Sequence, residues 1–467
     1  MPDPKPLSRR GFLGQASCAA IGSTALFNTL LNLRMAGTAA AQSIGGGNDY
    51  KALVCLFLAG GNDSFNMLVP RGVTEWTEYE GIRRDLALPR DSLLAINPLN
   101  DPGRLLGVHP NMPQVQGLFD NGRLAFVSNV GTLVERINKQ QYESGAVPVP
   151  LGLYSHADQI QQWQTSIPDR ATAIGWGGRM GDLLASLNEN QDISINISIA
   201  GSNVWQAGNQ TVEYAISPYG STGLDGISSP WNNDPVRGAA IDSMLDLEYK
   251  NLFEQTFVRK TRGAIDAHYQ FSAAIAAGTP VTTVFPANSW LGDQLRMVAR
   301  TIAARTQLGV RRQTFFVMAG GWDHHDEVIN NQQVMLADVS AALGAFQAAM
   351  AELGVENDVT LFSASDFGRT LTSNGAGSDH AWGGNQLVMG GAVRGQRIFG
   401  HYPNLYENNP LDTGRGRLIP TTSVDEFFAD LALWFGVDKT NLPLVLPNIE
   451  RFYNLNASQT PLGLFTA

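Results

Sequence analysis

The residues Ala52-Leu53-Val54-Cys55-Leu56-Phe57-Leu58 form an unbroken apolar run that ends shortly before Gly60-Gly61-Asn62-Asp63. A continuous run of this length is typical of a strand covered on both faces, as in a parallel sheet. The two glycines let the backbone turn sharply after the strand. Similar runs recur along the chain and predict further strands, at 124–127, 193–199, 314–318, 359–362 and 387–389.

Amphipathic segments lie between these runs. Apolar residues recur with helical spacing over 239–277, 289–306, 327–353 and 424–435. Strands that alternate with helices predict an α/β fold, with three layers (α/β/α) and a mostly parallel central sheet. Residues 202–237 are rich in Gly, Asn, Ser and Pro, and we expect them to form an insertion or lid at the surface.

Composition indicates a globular protein. The chain has 467 residues, of which 43% are hydrophobic and 16% are charged. This length can bury a large core, and we expect a single domain over residues 50–467. The net charge of −10 disfavours binding to nucleic acid through its phosphates, so we expect no nucleic-acid partner.

The N-terminus has the pattern of an export signal. Ser8-Arg9-Arg10-Gly11-Phe12-Leu13 is a twin-arginine motif, and Ala39-Ala40-Ala41 suits a cleavage site. We therefore expect a signal peptide over residues 1–41 and a Gly-rich linker over 42–49. The mature protein would be carried by the twin-arginine translocase and would be periplasmic or secreted.

A transmembrane anchor is the alternative interpretation of this N-terminal segment. The apolar stretch over residues 16–33 is only weakly hydrophobic, because asparagine, glycine and serine interrupt it. A membrane span needs about 20 predominantly apolar residues. We therefore expect no stable membrane span.

Histidine and aspartate are concentrated in a few short segments. Four of the seven histidines fall in segments that also contain aspartate, at 154–158, 320–326 and 378–380. A further acidic segment, 363–369, precedes the last of these. Histidine and carboxylate are residue types that hold divalent metals in proteins. The pattern therefore predicts metal-assisted chemistry.

Several of these residues come directly after predicted strands. Asp63 follows the first apolar run, Asp323 and His325 follow the fourth, and Asp366 follows the fifth. Because ligands bind at the carboxyl ends of strands in open α/β sheets, we expect these residues to share one site. Asp323 and His325 are two residues apart, so in extended backbone they would face the same ion.

Each candidate also has a structural interpretation. Asp63 suits a turn or a helix N-cap as well as a metal site. Ser155 precedes a predicted helix, where it is either an N-cap or a nucleophile that gains from the helix dipole. Arg369 would either hold an anionic substrate group or pair with a nearby carboxylate. The segment 323–326 is either a ligand cluster or a polar surface loop.

These residues resemble those of a twin-arginine-exported bacterial family known as domain of unknown function 1501. The segments that carry the resemblance are Gly60–Asp63, Ser155-His156, Gly320–Asp323 with His325, Ser365–Thr370, Asn374, Gly377, Asp379-His380, Gly390-Gly391, Trp434–Val437 and Leu446–Asn448. That family is grouped with the alkaline phosphatase and sulfatase superfamily. The resemblance therefore implies an alkaline phosphatase-like fold over the mature chain.

The resemblance also implies roles for individual residues. The implied metal ligands are Asp63, Asp323, His325, Asp366 and His380. Ser155 is similar to the nucleophile of the superfamily, and Arg369 would help to hold the anion. The implied cofactor is one or two divalent ions.

The chain departs from the superfamily pattern at Phe367, where a histidine is usual. One metal position would then have only the oxygen donors of Asp63, Asp366 and Ser155, which suit Mg²⁺ or Ca²⁺. The other position, with Asp323, His325 and His380, would suit Zn²⁺ or Mn²⁺.

Two functional hypotheses follow. The first is an exported metal-dependent hydrolase of phosphate or sulfate esters, acting on a small molecule or a polysaccharide through Ser155. The second is a non-catalytic relative that binds a metal, or has lost it, and acts in binding or assembly at the cell envelope. Phe367 favours the second hypothesis, and the sequence leaves open whether the protein is an enzyme.

Overall fold

The computed structural model describes residues 49–227 and 234–466. The described residues from Tyr50 onward form one compact unit. The predicted signal peptide, all but the last residue of the predicted linker, and residues 228–233 of the predicted insertion lie outside the described residues.

The strands of the described residues belong to two sheets. They are β1 (Lys51–Leu58), β2 (Leu68–Pro70), β3 (Leu94–Ile96), β4 (Leu106–Val108), β5 (Leu124–Gly131), β6 (Asn196–Ser198), β7 (Tyr214–Ala215), β8 (Arg312–Ala319), β9 (Val359–Ser365), β10 (Gly384–Met389), β11 (Ile398–Gly400) and β12 (Thr422–Ser423). The central sheet has the order β11-β5-β10-β9-β1-β8-β6-β7, with β12 also paired to β5, and β2-β4-β3 form a small second sheet.

The central sheet is mostly parallel. β1 pairs in parallel with β8 and β9, and β6 pairs in parallel with β7 and β8. The exception is β10, which is antiparallel to both of its neighbours, β5 and β9. Residues 366–383, which join β9 to β10, contain no helix to carry the chain back across the sheet, so β10 runs in the opposite direction.

Helices of the described residues cover the sheet. They are α1 (Val73–Arg83), α2 (Pro113–Asp120), α3 (Lys139–Ser144), α4 (His156–Thr165), α5 (Trp176–Leu184), α6 (Pro235–Leu245), α7 (Leu252–Ala277), α8 (Trp290–Ala303), α9 (Arg305–Leu308), α10 (Val328–Glu352), α11 (Val424–Phe435) and α12 (Leu442–Val445). Short 3₁₀ helices are found at Arg84–Leu86, Arg90–Ser92, Ala185–Leu187, Lys439–Asn441 and Ile449–Arg451.

The amphipathic pattern over 239–277 corresponds to two helices rather than one. α6 ends at Leu245, and α7 begins after Asn251, whose side chain accepts a hydrogen bond from the amide of Phe253. This cap starts a new helix in the middle of the apolar pattern, so the prediction of one long helix was wrong. By contrast, α11 has the bounds that the sequence predicts.

Side chains on both faces of β1 are buried, which is why its sequence is continuously apolar. Val54 and Leu56 belong to the large core cluster with residues of α8 and α10. On the opposite face, Trp176 of α5 stacks on Phe428 of α11, with ring centroids 4.4 Å apart, and contacts Phe362 of β9. Helices therefore pack on both sides of the sheet, and the predicted three-layer α/β class is confirmed.

One helix of the described residues, α10, is long and apolar enough to cross a membrane by length and composition. Half of its most apolar window is buried within the protein. Leu336, Leu343 and Phe346 of this helix belong to the large core cluster. We therefore assign α10 to the core that covers one face of the sheet.

Candidate functional site

The ends of three neighbouring strands lie level with each other. In the parallel pairing of β1, Leu58 is opposite Ala319 of β8 and Ser365 of β9. The loops that follow these strands meet directly, since a Cβ atom placed on Gly60 would lie 2.5 Å from the backbone nitrogen of Asp323. The site predicted at the carboxyl ends of the strands is therefore assembled from these loops.

Four side chains converge at this edge of the sheet, and we call them the histidine cluster: His156, Asp323, His325 and His380. The Nε2 atom of His380 lies 3.1 Å from Nε2 of His156 and 2.9 Å from Nε2 of His325. It is also 3.3 Å from Oδ1 of Asp323. Ligand atoms of His156, Asp323 and His380 all lie within 4.8 Å of one another, which is close enough to hold a single metal ion.

The backbone fixes the tautomer of His380. Its Nδ1 atom lies 2.8 Å from the carbonyl oxygen of Tyr154, and a carbonyl only accepts hydrogen bonds. Nδ1 therefore donates and carries the proton. In the neutral ring this leaves a lone pair on Nε2, directed at the other members of the cluster.

Carboxylates orient the other two histidines. Nδ1 of His156 lies 2.6 Å from Oδ2 of Asp366, and Nδ1 of His325 lies 2.9 Å from Oδ1 of Asp379. Asp366 is fully buried and also accepts a hydrogen bond from the amide of Gly60 at 2.9 Å. Histidines that bind metals commonly donate their second ring nitrogen to a carboxylate or a carbonyl in this way.

The ring nitrogens are placed so that a cation could lie between them. Burial lowers the pKa of His380, the hydrogen bond to Tyr154 opposes this shift, and the charge of Arg369 lowers the pKa further, so the surroundings of this ring favour its neutral form. Rings whose Nδ1 atoms are held by a carboxylate or a carbonyl can direct their Nε2 atoms at a common ion. Together with the carboxylate of Asp323 they form a donor set that suits Zn²⁺ or Mn²⁺.

The histidine cluster is open to solvent. The exposed fraction of its side chains runs from 25% for His380 to 45% for His325. Structural zinc sites are usually closed, whereas catalytic sites keep a position open for water or substrate. The geometry is therefore compatible with an ion that a substrate can reach.

Arg369 forms hydrogen bonds with the backbone around the site and with Asp323. It is buried, and it donates from Nε to the Gly61 carbonyl at 2.8 Å and from Nη1 to the Ser378 carbonyl at 3.0 Å. Its Nη2 atom donates to the Gly60 carbonyl and to Asp323. Burial alone would raise the pKa of Asp323, but the hydrogen bond and charge of Arg369 lower it. Of the two roles that the sequence left open for Arg369, the structure contains the ion pair.

Asp63 has different partners. Its Oδ2 atom accepts hydrogen bonds from Nη2 of Arg83 at 2.7 Å and from Oγ of Ser378 at 2.8 Å, and all three side chains are buried. Asp366 bonds instead to His156. Asp63 and Asp366, which the resemblance implied as one oxygen-donor position, therefore have separate sets of partners.

Residues 259–448 match the family model described as "Protein of unknown function (DUF1501)". This range contains Asp323, His325, Asp366 and His380 but neither Asp63 nor Ser155. No curated protein matches the chain.

Solved structures with a similar fold include three bacterial proteins. The lipoteichoic acid synthase LtaP from Listeria monocytogenes is 8% identical, with a TM-score of 0.36 over 91% of this chain and 82% of that chain. The soluble domain of lipooligosaccharide phosphoethanolamine transferase A from Neisseria meningitidis is 9% identical, with a TM-score of 0.34 over 86% and 94%. An alkaline phosphatase from the Antarctic bacterium TAB5 is 11% identical, with a TM-score of 0.27 over 74% and 93%.

Ser155 lies at the N-cap position of α4, but its side chain does not cap the helix. It is half-buried, and it lies between Tyr154, whose carbonyl accepts a hydrogen bond from His380, and His156, a member of the histidine cluster. The hydroxyl is therefore attached to a segment that the cluster holds in place.

Two site residues were not among the candidates from the sequence. His156 was quoted only as the neighbour of Ser155, and Asp379 only as the neighbour of His380. The signal was present in the count of histidines next to aspartates, yet local sequence does not reveal which carboxylate holds which ring. The structure pairs His156 with Asp366, 210 residues away.

Proposed function

We propose that this protein is an exported, metal-dependent hydrolase of phosphate or sulfate esters that uses one divalent cation at the histidine cluster. One observation carries the proposal. The Nε2 atoms of His156, His325 and His380 converge with the carboxylate of Asp323, while a carboxylate or a carbonyl holds each Nδ1. This donor set suits Zn²⁺ or Mn²⁺.

Solvent access to the cluster favours a catalytic ion over a structural one. The side chain of Asp323 is 44% exposed, and that of His156 is 30% exposed. A divalent cation at such a site would supply Lewis acidity for an ester oxygen and would lower the pKa of a hydroxyl group. A closed structural site would offer no route to a substrate.

Ser155 and the N-terminus of α4 would carry out the other parts of the reaction. The Oγ atom of Ser155 would form a bond to phosphorus or sulfur while the bond from phosphorus or sulfur to the ester oxygen breaks, and the proton of the serine hydroxyl would pass to the leaving alcohol. Water would then release the group and restore the hydroxyl. The N-terminus of α4, next to Ser155, favours the negative charge on the transferred group.

A single ion is proposed rather than two. Asp63 is neutralised by Arg83, and Asp366 is bonded to His156. The ring of Phe367 packs against His156 and His380, with centroid distances of 4.8 and 4.6 Å. Both carboxylates of the implied oxygen-donor position are therefore already paired with other side chains.

Metal content and turnover test the proposal. We expect the metal-free protein to bind one equivalent of Zn²⁺ or Mn²⁺ in a calorimetric titration, and the loaded protein to hydrolyse an aryl phosphate or an aryl sulfate. His380→Ala should lose both properties. A wild-type protein that binds no divalent ion, or that binds one and hydrolyses neither ester, would contradict the proposal.

The role of Ser155 has a separate test. Ser155→Ala should keep its metal and lose turnover, since the hydroxyl is not among the ligand atoms of the cluster. Full turnover in this variant would show that water attacks the ester directly. That result would remove Ser155 from the mechanism and leave the hydrolase proposal in place.

Export through the twin-arginine translocase is proposed from the motif at residues 8–13. The mature protein would then act in the periplasm or outside the cell, on a small-molecule or polysaccharide ester. Replacement of Arg9 and Arg10 by lysine should keep the full-length protein in the cytoplasm. Export of this double variant at the wild-type level would contradict the assigned signal.

A non-catalytic metal-binding protein is the second candidate. The contacts of Arg369 favour it, because the guanidinium predicted to hold the substrate is buried and bonded to Gly60, Gly61 and Ser378. Tight binding of one ion without any ester hydrolysis would support this candidate over the enzyme.

A further inference from the structure

We infer that Arg417 is the residue that selects an anionic substrate at the histidine cluster, an inference that rests on the proposed function. The sequence pointed to Arg369 for this role. The structure directs that side chain into the scaffold and places another arginine beside His380.

The loop that carries Arg417 is held rigidly. Asp412 and Leu418 form an antiparallel bridge across its base. The buried carboxylate of Asp412 accepts hydrogen bonds from the amides of Gly414 at 2.7 Å and Gly416 at 2.8 Å. Because the turn is tied to Asp412, the backbone position of Arg417 is fixed.

Arg417 is anchored to two residues of the site. Its Nε atom donates to the carbonyl of His380 at 3.1 Å, and its Cζ atom lies 5.1 Å from the centroid of the Tyr154 ring. Tyr154 in turn accepts the Nδ1 proton of His380. The guanidinium is thus packed against the segment that orients a ligand histidine.

The terminal nitrogens of Arg417 are available to a ligand. Across the described ranges 49–227 and 234–466, no hydrogen bond uses Nη1 or Nη2 of Arg417. By contrast, Arg369 is buried with its nitrogens bonded to backbone carbonyls, and Nη2 of Arg415 pairs with Asp379 at 2.5 Å. Arg417 therefore has the open pair of donors that can bind two oxygens of a phosphate or sulfate group.

The local charge also favours an anion. The carboxylates of Asp323, Asp366 and Asp379 are matched in number by the guanidinium groups at positions 369, 415 and 417. A divalent cation at the histidine cluster would therefore add positive charge to a set of side chains that balance one another. Such a charge would attract an anionic substrate even though the whole chain has a net charge of −10.

Three variants test the inference. Arg417→Ala removes the donors, and Arg417→Lys keeps the charge but not the planar fork. Arg311→Ala is the matched control, because Arg311 is exposed, pairs with Glu189, and precedes the start of β8, at the opposite end of that strand from the site. Each protein is loaded with Zn²⁺, and its affinity for inorganic phosphate and for inorganic sulfate is measured by calorimetry.

We expect Arg417→Ala to weaken phosphate or sulfate binding by about 10- to 100-fold, the effect of losing charge-assisted hydrogen bonds. Affinity for Zn²⁺ should be unchanged. Arg417→Lys should bind the anions with intermediate affinity, and Arg311→Ala should match the wild type. If thermal melts show that Arg417→Ala is not folded, the test is the anion affinity of Arg417→Lys, which should be lower than that of the wild type.

Two results would overturn the inference. One is a folded Arg417 variant whose affinity for phosphate and sulfate equals that of the wild type, and the other is a Zn²⁺-loaded wild-type protein that binds neither anion. The binding measurement is independent of turnover. A protein that binds Zn²⁺ and phosphate through Arg417 but hydrolyses no ester would contradict the hydrolase proposal and still support the anion site.

Discussion

Two loops of this protein share the pattern Gly-Gly-X-Asp, but their aspartates have different surroundings. Gly60-Gly61-Asn62-Asp63 follows β1, and Gly320-Gly321-Trp322-Asp323 follows the adjacent strand β8. Asp63 is 1% exposed and bonded to Arg83 and Ser378, whereas the side chain of Asp323 is 44% exposed and shared with three histidines. A carboxylate after a strand therefore becomes a candidate ligand only where it stays in reach of solvent and of other donors.

Arginine is present at both aspartates, so its presence alone does not decide the outcome. Arg83 and Asp63 are both buried and neutralise each other. Arg369 also touches Asp323, yet it leaves the carboxylate within 3.4 Å of His156 and 3.1 Å of His325. The difference lies in burial: both members of the first pair are buried, whereas the carboxylate of the second pair is 44% exposed.

Asp63→Ala should have the largest effect of the changes considered, on the stability of the fold. It leaves the guanidinium of Arg83 buried without its carboxylate, and breaking a buried pair in this way costs about 3–5 kcal/mol. We expect the free energy of unfolding of the metal-free protein to fall by that amount in a denaturant titration. Asp323→Asn, the matched change at the second motif, should lower stability less, because Asp323 is 44% exposed and Arg369 keeps its hydrogen bonds to the carbonyls of Gly60, Gly61 and Ser378, and it should weaken metal binding.

The two loops would exchange roles if the opposite result were found. An Asp63→Ala protein that keeps its stability but loses its metal would make Asp63 a ligand. The buried loop after β1, rather than the open loop after β8, would then hold the ion.

Asp366→Asn should give the next largest effect. The buried carboxylate holds Nδ1 of His156 at 2.6 Å, and changes to such partners typically lower metal affinity by about 10- to 100-fold. Competition with a chelator would measure this change. Asp91→Asn, at a side chain that is 93% exposed, is the control and should have no effect. Unchanged affinity in Asp366→Asn would remove His156 from the set of ligands.

Arg415→Ala should have a smaller effect on metal affinity. Arg415 pairs with Asp379, which orients His325, and both side chains are partly exposed. Exposed pairs contribute about 0.2–1 kcal/mol, which corresponds to at most a fivefold change in affinity. The same chelator competition would detect it. A loss of metal affinity as large as that of Asp366→Asn would mean that the exposed Arg415–Asp379 pair orients His325 as strongly as the buried Asp366 orients His156.

The pH dependence of unfolding should show the smallest effect, in a comparison of Asp379→Asn with the wild type. Partial burial alone would raise the pKa of Asp379, but hydrogen bonds from Asn374, Arg415 and His325 lower it to about 2, below its usual 3.8. Since the pKa is lower in the folded protein, the contribution of Asp379 to stability is present above about pH 4 and is lost as the pH falls towards 2. Unfolding of metal-free Asp379→Asn should therefore depend less on pH over this interval than unfolding of the wild type. Identical profiles would contradict the prediction.

The sequence predicted the fold well where the signal was local. The continuous apolar runs predicted buried strands, and the helical spacing over 424–435 predicted α11, because both depend on neighbouring residues. The direction of β10 was not predictable, since it depends on how residues 366–383 return to the sheet. The break between α6 and α7 was also missed, because the apolar spacing continues across it.

For the site, the sequence located the loops but not the partners. Asp323 and His325 lie after a strand as expected, and His380, which only the resemblance supplied, lies beside them. The bonds from Asp63 to Arg83 and from Asp366 to His156 are tertiary contacts, and nothing in the spacing of these residues distinguishes a ligand from a residue that supports one.

The hydrogen bond from His380 to Tyr154 has an evolutionary consequence. Its acceptor is a main-chain oxygen, displayed by a non-glycine residue whose φ angle is +76°. No substitution at position 154 can delete that oxygen, so a mutation reaches the ring of His380 only by changing the path of the backbone. His156 and His325 are each held by one aspartate side chain, so a lineage that drifts away from metal binding would be expected to lose the orientation of those rings before that of His380.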